Sequence, residues 1–147
     1  MSRLLVIGWG NPLRGDDAFG FLAAEKLREL LPEVDVLALH QLTPELMEPV
    51  SQAERVIFID ASAEGEPGEL RCGPVEASTS AEAFTHHATP AGLLAGARAL
   101  YGSAPPALLY TVRGECFEFG EGLSPAVQAA LDRLLRLIPA TFRSSPS

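Results

Sequence analysis

The chain has 147 residues, of which 47% are hydrophobic, and a formal net charge of −8. This length and apolar content suit one domain with a buried core, and the acidic balance argues against a general nucleic-acid-binding role, because neutralising phosphates requires clustered Lys and Arg. The apolar N-terminal run is too short to span a bilayer and lacks the layout of a secretory signal, so we expect no membrane insertion and a cytoplasmic location.

Apolar runs alternate with helical patterns along the chain, and several of the runs are almost continuously hydrophobic, which is typical of strands buried on both faces. The predicted elements, in chain order, are a strand at 3–8, a helix at 16–31, a strand at 34–39, a helix at 43–52, strands at 55–60 and 69–75, a helix at 89–101, a strand at 107–113 and a helix at 124–138.

This order of elements predicts an α/β fold, a three-layer α/β/α sandwich around a mostly parallel, roughly five-stranded sheet. The strand at 69–75 follows a glycine-bounded turn at 65–68 closely, so we expect it to run antiparallel. We assign one domain to residues 1–139 and a frayed, serine-rich tail to residues 140–147.

Smaller features add local expectations. Thr43, Thr89 and Ser124 each precede a proline, a pattern that predicts helix N-caps with hydroxyl acceptors. Cys72 and Cys116 lie far apart without a Cys-x-x-Cys spacing, and we expect both to be buried as small hydrophobic residues.

The most informative segment is a glycine-rich loop at residues 8–20, with the sequence GWGNPLRGDDAFG, which joins the first strand to the first helix. Glycines allow tight turns and close backbone approach, and acidic residues are favoured at a helix entrance. We expect Asp16 to be the N-cap of the helix and Asp17 to lie at the edge of the sheet, where α/β proteins keep their sites.

Polar residues at other strand ends point to the same edge. Asp60 closes the third strand, and His86 and His87 occupy the loop before the third helix, which reaches this edge if the preceding strand is antiparallel. Together with Asp17, two carboxylates and one imidazole form a plausible ligand set for a borderline divalent ion such as nickel or zinc.

Each of these residues also has a purely structural interpretation. Asp17 could simply interact favourably with the helix dipole, and Asp60 could accept hydrogen bonds from turn amides. A lone histidine is more often structural than a ligand, and we expect only one of the neighbouring His86 and His87 to enter the site. His40, at the end of the second strand, is expected to form local hydrogen bonds.

Two other functional classes share parts of this pattern. A phosphoacceptor receiver-like domain also carries paired acids after strand one, but it needs a lysine after its last strand, where Arg113 stands. A nucleotide-binding α/β module needs glycine at the position of Leu13 and an acidic residue after strand two, where His40 stands.

The glycine-rich loop resembles the N-terminal motif of the nickel–iron hydrogenase maturation proteases, and four further blocks resemble that family in the expected order. These blocks are HQLTPEL at 40–46, VIFIDA at 56–61, THHATP at 85–90 and FEFGEGLSP at 117–125. The resemblance covers most of the chain and is therefore more specific than a glycine loop alone.

The resemblance implies an endopeptidase that removes the C-terminal extension of a nickel-loaded [NiFe]-hydrogenase large-subunit precursor. It assigns metal binding and catalysis to Asp17, Asp60 and His86, and it favours His86 over His87 by the spacing to Thr89. The nickel is expected to come with the substrate, and no organic cofactor is expected. Whether the metal or a carboxylate activates the attacking water stays open.

Overall fold

The structure, a computed structural model, describes residues 3–77, 89–120 and 122–144. These residues form five strands and four α-helices, and short 3₁₀ turns precede the first two helices. In chain order the elements are β1 (Leu4–Trp9), α1 (Phe19–Leu30), β2 (Asp35–Leu39), α2 (Met47–Gln52), β3 (Arg55–Ser62), β4 (Leu70–Val75), α3 (Pro90–Tyr101), β5 (Ala107–Arg113) and α4 (Pro125–Ser144).

The five strands form one sheet in the order β2-β1-β3-β5-β4. The first four strands in this order are parallel, and β4 pairs with β5 in the antiparallel sense. The predicted fold class is therefore confirmed, including the antiparallel strand. The parallel strands end together at Trp9, Leu39, Ser62 and Arg113, and we call this side of the sheet the carboxyl edge.

A helical layer covers each face of the sheet. One buried cluster joins α1 and α4 to the sheet through residues that include Phe19, Leu27, Leu134 and Ile138. The other joins α2 and α3 to the opposite face and includes Val50, Phe58, Leu93 and Leu94. Because apolar side chains alternate between two covered faces, the central strands are hydrophobic along nearly their whole length.

The start of α1 lies directly against the sheet backbone because Gly20 has no side chain. A Cβ atom at this position would lie 2.3 Å from the carbonyl oxygen of Ile59 and 2.4 Å from that of Trp9. These distances are far below van der Waals contact. Gly20 therefore brings the end of the glycine-rich loop onto the carboxyl edge of β1 and β3.

The helix caps differ from expectation at two of three positions. The hydroxyl of Thr89 accepts a hydrogen bond from the Gly92 N–H at 3.1 Å, which confirms this cap. Thr43 makes no capping hydrogen bond through its side chain, because the chain enters α2 through a 3₁₀ turn at Pro44–Leu46. The hydroxyl of Ser124 instead donates to Asp16.

The last helix is longer than predicted. It continues through Pro139 to Ser144, so residues 140–144 are helical rather than part of a frayed tail. Proline removes one N–H but permits continuation where packing compensates, and Ile138 and Phe142 both contact the α1–α4 cluster on either side of Pro139. No helix among the described residues is long and apolar enough to cross a bilayer.

The expected burial of the two cysteines is wrong, since both are exposed. Cys72 lies on β4, a strand at the edge of the sheet with a largely exposed pattern, and Cys116 lies in the loop between β5 and α4. No residue of β4 is fully buried, in contrast to the central strands β1 and β3.

Candidate functional site

The glycine-rich loop folds back on itself at the carboxyl edge and holds Asp17 there. The Gly10 N–H donates to the carbonyl oxygen of Leu39 at 3.1 Å, and the Asp17 N–H donates to that of Arg14 at 3.0 Å. The Oδ2 atom of Asp17 accepts a hydrogen bond from the Asn11 N–H at 2.8 Å. The half-buried carboxylate of Asp17 is thus fixed by its own loop.

Asp60 stands near the end of β3, in register with Thr111 of β5. Its Oδ1 atom accepts a hydrogen bond from the Ala61 N–H at 2.8 Å. Because side chains alternate along a strand, Asp60 lies on the same face as Phe58, which belongs to the cluster with Leu93 of α3. Asp60 is therefore on the face that α2 and α3 cover.

The two carboxylates interact electrostatically. Burial raises the pKa of Asp60 to about 7, the hydrogen bond from the Ala61 N–H opposes this rise, and the negative charge of Asp17 adds to it. Both carboxylates therefore lie towards the carboxyl edge, and their joint role in one metal site stays a prediction. Asp60 can thus take up a proton near neutral pH.

The predicted histidine ligand lies outside the described residues, as does His87. Among residues 3–77, 89–120 and 122–144, no group of three His, Cys, Asp or Glu side chains could hold a metal ion. Asp17 and Asp60 are thus two members of the predicted three-residue set, and His86 stays a prediction. The exposed His40 contacts the ring of Phe21, with centroids 5.2 Å apart.

Asp16 has a different role from the one predicted, because its side chain does not cap α1. It is completely buried, and its Oδ2 atom accepts hydrogen bonds from Glu115 N at 2.7 Å, Cys116 N at 2.9 Å and Ser124 Oγ at 2.8 Å. Its Oδ1 atom accepts a bond from Ser124 N at 2.7 Å. Asp16 therefore binds the loop between β5 and α4.

Hydrogen bonding decides the charge state of Asp16. Burial alone raises its pKa, but the donors on Ser124, Cys116 and Glu115 together outweigh burial and lower the pKa below its ordinary value. The carboxylate is thus ionised at neutral pH. The sequence offered only the Asp-Asp pair as a signal, since the partners lie 99 to 108 positions away.

Comparison with known proteins identifies the family and agrees with the fold. The family model for hydrogenase maturation proteases matches residues 22–140. The chain belongs to this family. It is 32% identical over 152 residues to the hydrogenase 2 maturation protease of Escherichia coli (strain K12), an alignment that covers 97% of this chain and 92% of the relative.

Solved structures of the same family have the same architecture. The hydrogenase maturating endopeptidase HybD from E. coli superposes with a TM-score of 0.76 at 28% identity, covering 97% of this chain and 94% of that one. The [NiFe] hydrogenase maturation protease HycI from Thermococcus kodakarensis KOD1 gives 0.75 at 29% identity with the same coverages. Like its family, this protein is a peptidase, and the receiver-like and nucleotide-binding alternatives are left without support.

Proposed function

We propose that this protein is an endopeptidase that removes the C-terminal extension of a nickel-loaded [NiFe]-hydrogenase large-subunit precursor. Family membership supports a role in hydrogenase processing. The observation that carries the finer proposal is the Asp17–Asp60 pair, in which burial and the neighbouring charge raise the pKa of Asp60 to about 7.

Two adjacent carboxylates with mutual repulsion are suited to a divalent cation. Burial, and to a smaller extent the charge of Asp17, disfavour the ionised form of Asp60, and a cation bound by both carboxylates would favour that form. Carboxylate and imidazole ligands suit nickel and zinc, so Asp17, Asp60 and His86 are the proposed ligands. In this proposal the nickel is part of the substrate, and the protease recognises it directly.

Recognition of the metal also explains how the scissile bond is positioned. A precursor held through its nickel presents its tail beside the site, which is catalysis by proximity and orientation. If Asp60 does not bind the metal, its raised pKa of about 7 suits it to accept a proton from the attacking water as a general base. Nickel at the same place would lower the pKa of a bound water, which is the second route to a nucleophile.

Processing of a purified precursor, followed by intact mass, tests this proposal. We expect the nickel-loaded precursor to lose its extension and the nickel-free precursor to stay intact. Alanine at Asp17, Asp60 or His86 should slow processing by about a thousand-fold, the usual scale for loss of an acid–base group.

The matched control is Asp132→Asn, which neutralises an exposed carboxylate of α4 and should process normally. Equal cleavage of nickel-free precursor would contradict metal recognition, and wild-type rates in the Asp17 and Asp60 variants would contradict the assigned residues. The cytoplasmic location and the absence of an organic cofactor stay predictions.

A further inference from the structure

Backbone hydrogen bonds join the glycine-rich loop to the loop between β5 and α4, which we call the C-terminal loop (residues 114–124, of which 121 is outside the described residues). Asp16 N donates to Cys116 O at 2.8 Å, and Gly15 N donates to Gly120 O at 2.9 Å. In return, Gly120 N donates to Leu13 O at 2.7 Å. The two loops therefore form one continuous hydrogen-bonded unit.

The carboxylate of Asp16 stands inside this unit and binds both ends of the C-terminal loop. Glu115 and Cys116 lie at its start and Ser124 at its end, and all three donate to the same buried side chain. Hydrogen bonds to a charged acceptor are stronger than those to a neutral one. Without the carboxylate, several buried donors would lose their acceptor.

The conformation at Gly15 makes the contact between the loops possible. Its φ of +52° is left-handed, and a Cβ atom there would lie 2.6 Å from the carbonyl oxygen of Cys116. The next two residues are Asp16, which points into the C-terminal loop, and Asp17, which points into the glycine-rich loop. The segment that Asp16 anchors to the C-terminal loop is therefore the segment that carries Asp17.

We propose that Asp16 is a positioning residue of the peptidase: by holding the C-terminal loop against the glycine-rich loop, it keeps the Asp17 carboxylate in place at the carboxyl edge. This inference rests on the proposed function, in which Asp17 contacts the substrate's metal. Asp16 itself is completely buried and touches no substrate. Its effect on the reaction passes through Asp17.

Substitutions of Asp16 and of Ser124, which are joined by two hydrogen bonds, test this role. Asp16→Asn keeps the shape, but either orientation of the amide turns an NH2 group towards a backbone N–H donor. We expect kcat per folded molecule to fall about a hundred-fold and KM for nickel-loaded precursor to rise, as expected when a contact group is misplaced by about 1 Å.

Ser124 provides a milder pair of variants. Ser124→Ala removes the Oγ donor and leaves the backbone donor, so processing should slow by about three- to ten-fold. Ser124→Thr keeps the hydroxyl and should restore the wild-type kcat and KM. This pair keeps the test decisive even if Asp16→Asn does not fold.

A stability control separates positioning from simple loss of folded protein. Ile138→Val shortens a buried side chain at the far end of α4, which lowers stability without touching either loop. Rates measured well below all melting temperatures should be normal for this variant. Wild-type kcat and KM in Asp16→Asn or Ser124→Ala, or an equal loss in Ile138→Val, would overturn the positioning role. An inactive wild-type protein would instead contradict the proposed function.

Discussion

Two buried or half-buried aspartates at the same end of the sheet behave in opposite ways. Asp16, in the unit formed by the two loops, has no solvent exposure, yet its pKa is lowered because four donors outweigh the effect of burial. Asp60, at the end of β3, has one described backbone donor and a negative neighbour in Asp17, and its pKa is raised to about 7. Burial raises both pKa values; at Asp16 the hydrogen-bond donors outweigh burial, whereas at Asp60 a single described donor opposes it and the charge of Asp17 adds to it.

This difference separates a structural carboxylate from a reactive one. A fully satisfied anion stabilises the fold and has no remaining capacity for a ligand. An under-satisfied anion beside a like charge is unfavourable in the free protein and is relieved by a proton or a cation. Three variants test this comparison, beginning with the largest expected effect.

Removal of the Asp16 carboxylate should cause the largest loss of stability. Asp16→Ala leaves buried donors on Glu115, Cys116 and Ser124 without their acceptor, and we expect a loss of about 3–5 kcal/mol in the free energy of unfolding at pH 7. Urea denaturation measures this loss. The exposed control, Asp132→Ala, should change stability by less than about 0.5 kcal/mol.

The stabilisation by Asp16 also has a defined pH dependence. Because its folded pKa is lowered, the stabilisation is present above the ordinary value of 3.8 and is lost as pH falls through the folded pKa. The difference in stability between wild type and Asp16→Ala should therefore be constant above pH 3.8 and shrink as the pH falls from there through the folded pKa. A constant difference down to complete protonation would contradict the assignment.

Neutralising the under-satisfied carboxylate should stabilise the metal-free protein. A raised folded pKa means that ionisation of Asp60 costs stability as pH rises from about 4 to about 7. Asp60→Asn avoids this cost and can still accept from the Ala61 N–H, so it should gain about 2–4 kcal/mol above pH 7 and little near pH 4. Denaturation in the presence of a chelator across this pH range measures the gain. Equal stability of wild type and Asp60→Asn at pH 8 would show that ionisation of Asp60 does not destabilise the folded protein.

The smallest effect concerns the glycine that brings the loops together. Gly15→Ala places a Cβ atom on a left-handed backbone and against the carbonyl oxygen of Cys116. This variant should lose about 2 kcal/mol of unfolding free energy and process the precursor more slowly. Gly102→Ala is the matched control, since Gly102 has a φ of +80° but nothing within 4 Å of its Cβ position. The Gly102→Ala variant should lose about 1 kcal/mol of unfolding free energy, measured by thermal unfolding, and should process the precursor normally.

The sheet was predictable from the sequence because its signals are local. Continuous apolar runs marked the central strands, and the glycine-bounded turn before β4 marked its antiparallel direction. The location of Asp17 and Asp60 towards one edge was predictable because parallel strands end together, while their joint role in one site stays a prediction. The extension of α4 beyond Pro139 was missed because proline usually ends a helix. In the fold, Phe142 packs against the α1–α4 cluster, and this contact could not be read from the sequence.

The role of Asp16 could not be predicted in the same way. A capping residue and a buried anion acceptor look identical in sequence, and the distinction depends on donors about a hundred positions later. The exposure of Cys72 was missed for a related reason, since only the order of strands in the sheet shows that β4 is at its edge. Features that depend on distant pairing require the fold itself.

The contact between Asp16 and Ser124 spans 108 positions of the 147-residue chain. During translation, the segment that carries Asp17 is synthesised early but gains its support only after residue 124 has left the ribosome. Contacts of such long sequence separation form late and slowly. A chain that ends before residue 124 therefore lacks both hydrogen bonds from Ser124 to Asp16.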